Sequence, residues 1–273
     1  MRVLLTNDDG ISASGLQQLR RALLEVEGVE LEVIAPNSNR SATARSITTR
    51  SPLWVEEITH DDGFVGHATD GTPVDCVRFA DLGLLGEKPE LIVSGINHGS
   101  NLGDDVTYSG TVAAAFEGIL LGLPAIAVSQ QSESREMGYR GGRSYDFGVA
   151  SEFTAELVRR VMAEGMPAGT LINVNAPGGV ADGVEVCKLG KRLYDGELKL
   201  VEESTDEDGR KRYEIYGYEP GFEEEEGTDL AAVAAGRIAV TPIHFDLTDH
   251  GEIETVEGWG LEEMLERAAA SVA

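Results

Sequence analysis

Short, almost wholly apolar segments recur along this chain with amphipathic stretches between them, and that alternation constrains the fold more than any other feature. Arg2–Thr6 reads as a strand buried on both faces. Leu16, Leu19, Leu23 and Val26 follow at helical spacing, and Leu31–Ala35 reads as a second buried strand stopped by Pro36. Such a unit predicts two parallel strands joined by a right-handed crossover. The pattern continues with a strand over Glu90–Ser94, a helix over Val112–Leu121 and a strand over Ala125–Ser129. Phe147, Ala150, Thr154, Leu157, Val158 and Val161 then mark a long amphipathic helix, and Thr170–Asn175 returns as a strand. The first 177 residues are thus expected to form one doubly wound α/β core. From 178 to 273 the pattern changes. Strands are expected over Val184–Lys188, Lys211–Tyr216 and Arg237–Thr241, with acidic stretches at Glu202–Asp208 and Glu223–Glu226 read as solvated loops. Leu261–Val272 reads as a helix whose apolar face, Leu261, Met264, Leu265 and Ala268, packs on its own domain or on a second subunit.

In open α/β sheets ligands bind at the carboxyl ends of strands. There the first strand runs into Asn7-Asp8-Asp9-Gly10. Neighbouring carboxylates raise each other's pKa unless a cation offsets the repulsion, and hard oxygen ligands favour Mg²⁺ or Mn²⁺ over zinc. The simpler reading of the same residues is a solvated turn, since Asp and Gly are common turn formers and Asp caps helices.

Three more loops fall on the same sheet edge. Residues 35 to 42, Ala-Pro-Asn-Ser-Asn-Arg-Ser-Ala, follow the second strand, so that Ser41 is placed to share an oxygen with a metal and Arg40 to meet an anion. Residues 94 to 105, Ser-Gly-Ile-Asn-His-Gly-Ser-Asn-Leu-Gly-Asp-Asp, form a glycine-rich loop that presents the neutral amide of Asn97. Asp104 and Asp105 are a second acid pair, structural or indirectly linked to the metal, and His98 is either an acid or base or a histidine satisfied by its loop. Tyr-Ser-Gly-Thr-Val then opens a helix at Ser109. The backbone N–H groups of Ser109, Gly110 and Thr111, with two hydroxyls, suit a phosphate, although ordinary N-capping explains the hydroxyls equally well. Near the end, His244, Asp246 and His250 fall close together as a second metal site, an acid–base dyad or structural support.

Composition narrows the classes of function. With 48 Asp and Glu against 22 Lys and Arg the formal net charge is −26, a field that repels nucleic acid and anionic membrane surfaces and is expected of a protein adapted to a salty cytoplasm. Only Cys76 and Cys187 are present, too few for a disulfide framework. No apolar run reaches the length of a membrane span, and no signal peptide is read at the start, so a cytoplasmic location is expected.

Taken together, Asn-Asp-Asp-Gly at 7 to 10, Ala-Pro followed by Asn-Arg-Ser at 35 to 41, Ser-Gly-Ile-Asn with Gly99 and Asn-Leu-Gly-Asp-Asp at 101 to 105, and Tyr-Ser-Gly-Thr-Val at 108 to 112 resemble the SurE family. The match resumes at Gly-Thr-Asp, 227 to 229, and at His-Phe-Asp-Leu-Thr-Asp-His. The resemblance implies a three-layer αβα sandwich with a Rossmann-like, mostly parallel sheet and a variable C-terminal part that completes the site and contributes to oligomers. It implies a nucleoside monophosphate phosphatase that uses one divalent cation, Mg²⁺ or Mn²⁺, held by Asp8, Asp9, Ser41 and Asn97. Nucleoside 5′-monophosphates, 3′-monophosphates and short polyphosphate are the implied substrates, and a homodimer or homotetramer the implied assembly. A halophilic archaeon is the expected source. On the residues themselves, metal-assisted attack of water fits, with Asp8, Asp9 and Asn97 as the catalytic set and Arg40, Ser109, Gly110 and Thr111 on the phosphate. An aspartyl-phosphate route is the alternative mechanism. A Mg²⁺-binding phosphoacceptor module or a nucleotide binder without turnover are the alternative functions, but the lysine that a receiver domain needs late in its sheet is missing between 89 and 187.

Overall fold

The computed structural model describes residues 1–137, 144–194, 198–203, 211–215 and 220–271. The chain opens with β1 (Arg2–Thr6), α1 (Ser14–Leu24) and β2 (Glu30–Pro36), then a hairpin of β3 (Val55–Thr59) and β4 (Val65–Thr69). Next come α2 (Pro73–Asp81), β5 (Leu91–His98), a 3₁₀ turn at Gly103–Thr107, α3 (Gly110–Leu120), β6 (Ala125–Gln130), α4 (Gly148–Glu164) and β7 (Thr170–Ala176). The last third holds β8 (Val184–Val186), the short β9 (Arg192–Leu193), β10 (Lys199–Glu203), β11 (Lys211–Glu214) and β12 (Gly221–Phe222). It closes with α5 (Asp229–Ala234), β13 (Ile238–His244), α6 (Ile253–Glu257) and α7 (Leu261–Ala270).

Nine strands make one sheet in the order β3-β4-β2-β1-β5-β6-β7-β13-β8. From β4 to β7 all neighbours are parallel, whereas β3 runs against β4 and β13 against β7. The parallel strands are rich in apolar residues because helices cover both faces. On one face α1 and α4 enclose Leu5, Leu16, Leu19, Val33, Val93, Val128 and Val158. On the other, α2 and α3 enclose Leu4, Ile34, Val77, Ile92, Val112 and Ala127. The result is a three-layer α/β/α sandwich, as expected. Past Pro177 the chain adds β8 and β13 to this same sheet.

The strand order reverses between β1 and β5, so the loops after these two strands part from each other and leave a crevice. Asp8 and Asp9 follow β1 there, and Asn97 ends β5. That strand runs four residues past the expected Ser94, to His98. Several elements were not expected: the β3–β4 hairpin and α2 here, and β9, β10, β12, α5 and α6 in the last third, where β10 takes in Glu202 and Glu203, expected in a loop. The sequence signal for α2 is Thr72, whose side chain caps the helix, with Pro73 in the first turn and Asp75 completing a reciprocal capping box.

In the last third, β8 stops at Val186, β11 at Glu214 and β13 runs on to His244. Tyr216, Asp208 and Val272 lie outside the described residues, while Glu223–Glu226 are solvent-exposed as expected. No residue of α6 or α7 is buried, so the apolar residues of α7 have no cover within the described part of this chain. Among the described residues no helix is long and apolar enough to cross a membrane.

Candidate active site

The turn after β1 is locked by the residue before the acids. Asn7 accepts from the Gly10 N–H (3.1 Å) and donates to the Gly10 carbonyl (3.0 Å), and Gly10 sits at φ +107°, a conformation that suits glycine. Asp8 is only 3% exposed and its Oδ1 accepts from the Thr111 hydroxyl at 2.5 Å. Burial, and then the charge of Asp9, push the Asp8 carboxyl up to about 6, against the opposing hydrogen bonds from Thr111 and the backbone. No lysine or arginine is among these influences. Asp8 is thus a buried carboxyl beside a second acid, with no basic side chain offsetting its charge.

The first turn of α3 comes against Asp8 through a residue with no side chain. A Cβ on Gly110 would stand 2.8 Å from the Asp8 Cβ and 2.9 Å from its Oδ2, so only glycine admits this approach. Ser109 caps the helix, its hydroxyl oxygen accepting from the Val112 N–H at 3.1 Å. The expected anion site is thus a helix N-terminus in contact with the acid pair, with Ser109 and Gly110 at its mouth. Thr111, expected on the phosphate, turns its hydroxyl to Asp8 instead.

Asp9 is gripped from β5. Its Oδ2 accepts from the His98 N–H (3.0 Å), and its Oδ1 from the Asn39 side chain (3.3 Å). Asn39 belongs to the loop after β2, which is tied to the site twice more. The Arg40 N–H donates to the Asp8 carbonyl (2.6 Å) and the Ala44 N–H to the Tyr108 carbonyl (3.1 Å). Ser41 lies exposed between these two anchors. The Arg40 guanidinium donates to the Asp70 carbonyl (2.8 Å), so this side chain also holds the hairpin to the loop. Asn97 donates its Nδ2 to the Gly99 carbonyl (2.8 Å), which leaves its Oδ1 as the atom for a ligand.

The second acid pair is structural. Asp104 accepts from the Arg192 N–H (3.0 Å) and the Lys191 ammonium (3.2 Å). Asp105 pairs with the fully buried Arg192 guanidinium (2.7 Å) and accepts from the Tyr194 hydroxyl (2.7 Å). Asp229 accepts from the Gly103 and Gly190 N–H groups, both at 2.8 Å. Together these contacts clamp the approach to α3 from the last third of the chain. Their sequence separation hides them from any local pattern. His244, Asp246 and His250 do come together: His250 Nε2 lies 2.7 Å from Asp246 Oδ2, and the Asp246 N–H donates to His244 Nδ1 (3.2 Å). The bond to His250 holds the Asp246 carboxyl below its ordinary value. All three are exposed, and among the described residues no group of three or more His, Cys, Asp or Glu is arranged to hold a metal.

Comparison with known proteins agrees with this geometry. The family model described as survival protein SurE matches residues 3–196. The chain is 47% identical to a protein of Rubrobacter xylanophilus named 5′-nucleotidase SurE, over 98% of this chain and 100% of that one. It is 44% identical to a protein of the same name from Pelobacter propionicus, over 95% and 99%. A crystal structure of the SurE protein from Aquifex aeolicus superposes with a TM-score of 0.76 at 37% identity, covering 94% of this chain and 98% of that one. These relatives are bacterial and give the expected halophilic archaeal source no support. With the family model matched over residues 3–196 and relatives matched over nearly their whole length, the chain belongs to the SurE family.

Proposed function

We propose that this protein is a divalent-metal-dependent phosphomonoesterase that hydrolyses nucleoside 5′-monophosphates to nucleoside and phosphate. One observation carries the reading: Asp8, buried and with Asp9 beside it, lies in contact with a helix N-terminus at the switch point of the sheet. A phosphate ester needs both halves, a cation for its oxygens and N–H groups for its charge. The name 5′-nucleotidase carried by the relatives adds the nucleotide.

The donor set fits a hard cation. Asp8 and Asp9 supply two carboxylates, and Ser41 and Asn97 supply neutral oxygens, with no sulfur or imidazole in the set. When bound, Mg²⁺ or Mn²⁺ would supply Lewis acidity and offset the charge of Asp9, which adds to burial in raising Asp8. Thr111 and the His98 N–H orient the two carboxylates. The Gly110 N–H and the Ser109 hydroxyl receive the phosphoryl oxygens, where negative charge gathers in the transition state, while Thr111 serves Asp8. Water is the nucleophile in this scheme. Asp8 makes a poor nucleophile, because it is buried and its Oδ1 is held by Thr111.

The same site has room in this reading for 3′-monophosphates and short polyphosphate, which present the same terminal phosphoryl group. We further propose a homodimer or homotetramer in which the exposed apolar residues of α7 are covered by another copy, and a cytoplasmic, salt-tolerant protein, for which the net charge of −26 is the support. The test is phosphate release from AMP and GMP with Mn²⁺ or Mg²⁺, abolished by a chelator. Metal-independent turnover would end the reading.

A further inference from the structure

His98 meets Asp9 through its backbone and its ring, and both ring nitrogens face protein atoms. Its backbone N–H donates to Asp9 Oδ2 (3.0 Å), while its ring Nδ1 lies 3.4 Å from Asp9 Oδ1. The other ring nitrogen, Nε2, lies 3.2 Å from the Ser14 hydroxyl at the start of α1. The ring is also packed in place. It stacks on Tyr145 with centroids 5.2 Å apart and planes 27° apart, and meets Phe147 at 5.0 Å and 41°. Tyr145 and Phe147 stack on each other at 5.7 Å and 14°, and Phe147 is buried. Three segments, the end of β5, the start of α1 and the approach to α4, therefore fix one imidazole against one carboxylate.

A neutral imidazole has one donor and one acceptor nitrogen. With the Ser14 hydroxyl donating to Nε2, the proton stands on Nδ1 and faces Asp9. We infer that His98 is a positioning residue, its Nδ1–H and backbone N–H together holding the Asp9 carboxylate in the orientation in which it ligates the cation. The inference rests on the metal-dependent reading above. It gives a role to a histidine that sequence alone leaves between acid–base chemistry and a satisfied loop, since both ring nitrogens face protein atoms. Groups that orient metal ligands in this way typically contribute about 10- to 100-fold in metal affinity.

Two variants separate the hydrogen bond from the packing. His98→Phe keeps a ring against Tyr145 and Phe147 but removes both nitrogens. His98→Asn removes the ring stack but keeps an N–H donor near the place of Nδ1. Mn²⁺ is titrated calorimetrically into chelator-stripped protein, for these variants, the wild type and Asp9→Asn, and thermal midpoints report folding. The expected result is Mn²⁺ binding weakened about tenfold or more in His98→Phe, and within about threefold of wild type in His98→Asn. Ser14→Ala, which frees Nε2 and leaves the ring in place, is expected to weaken binding in the same direction by less. If His98→Phe binds Mn²⁺ like the wild type while Asp9→Asn does not, the histidine is packing alone and the inference is overturned. If wild type and Asp9→Asn bind alike, or neither binds, the metal-dependent reading itself fails and takes the inference with it.

Discussion

Asp8→Asn should leave the metal-free protein more stable and without activity. The folded protein raises the Asp8 carboxyl from its ordinary 3.8 to about 6, first by burial and second by the adjacent charge of Asp9. A carboxyl raised on folding binds more protons in the folded state than in the unfolded one. Its contribution is therefore most favourable below the unfolded value, is lost as pH rises from about 4 to about 6, and stays lost above that. A rise of this size corresponds to about 3 kcal/mol at neutral pH and above. Asn has the same shape, still accepts the Thr111 hydroxyl and carries no charge, so it should recover much of that cost. At roughly 2 to 4 °C per kcal/mol for a domain of this size, the melting midpoint in chelator near pH 8 should rise by several degrees, up to about 10 °C. The gain should shrink as the pH falls toward 4, where wild-type Asp8 is itself protonated. Adding Mn²⁺ should reverse the order, because only the wild type gains binding energy on folding. Differential scanning calorimetry at two pH values, with chelator and with Mn²⁺, measures all of this. A lower midpoint for Asp8→Asn in chelator near pH 8 would refute the reasoning, since Asp8 would then be compensated by something other than a cation.

Other perturbations test the parts around the pair. Gly110→Ala places a methyl 2.8 Å from Asp8 and should abolish phosphate release and Mn²⁺ binding with little change in circular dichroism. Arg192→Met removes the buried guanidinium that pairs with Asp105 and should destabilise the fold by about 3 to 5 kcal/mol, read by urea unfolding. Ending the chain at Thr248 removes none of the buried residues among those described, so the sheet should fold while sedimentation shows a smaller assembly; an unchanged assembly would place the interface elsewhere.

Strands buried on both faces were visible in the sequence because each holds a short run of apolar residues, such as Val3–Leu5, Val33–Ala35, Leu91–Val93 and Ala125–Val128, which is why β1, β2, β5, β6 and β7 could be read directly. The β3–β4 hairpin escaped because Val55–Thr59 is largely exposed at the edge of the sheet, and His67 and Gly66 break the apolar run of β4. Helix α2 escaped although Thr72, Pro73 and Asp75 announce it by their chemistry. Asp8, Asp9 and the start of α3 were accessible because strand ends and helix starts are local features. The partners that decide the roles of Asp105, Thr111 and His98 come from distant segments, and only the folded chain brings Arg192, Asp8 and Tyr145 beside them. That is also why Thr111 read as a phosphate donor when its hydroxyl serves Asp8.

The central claim is that the acid pair acts through a divalent cation on a phosphate monoester. Phosphate release from AMP by the chelator-treated wild type, followed as Mn²⁺ is restored, tests it most directly. The account predicts no turnover in chelator, recovery that saturates with Mn²⁺, and no recovery in Asp9→Asn. Turnover that survives the chelator, or that Asp9→Asn retains, would contradict it.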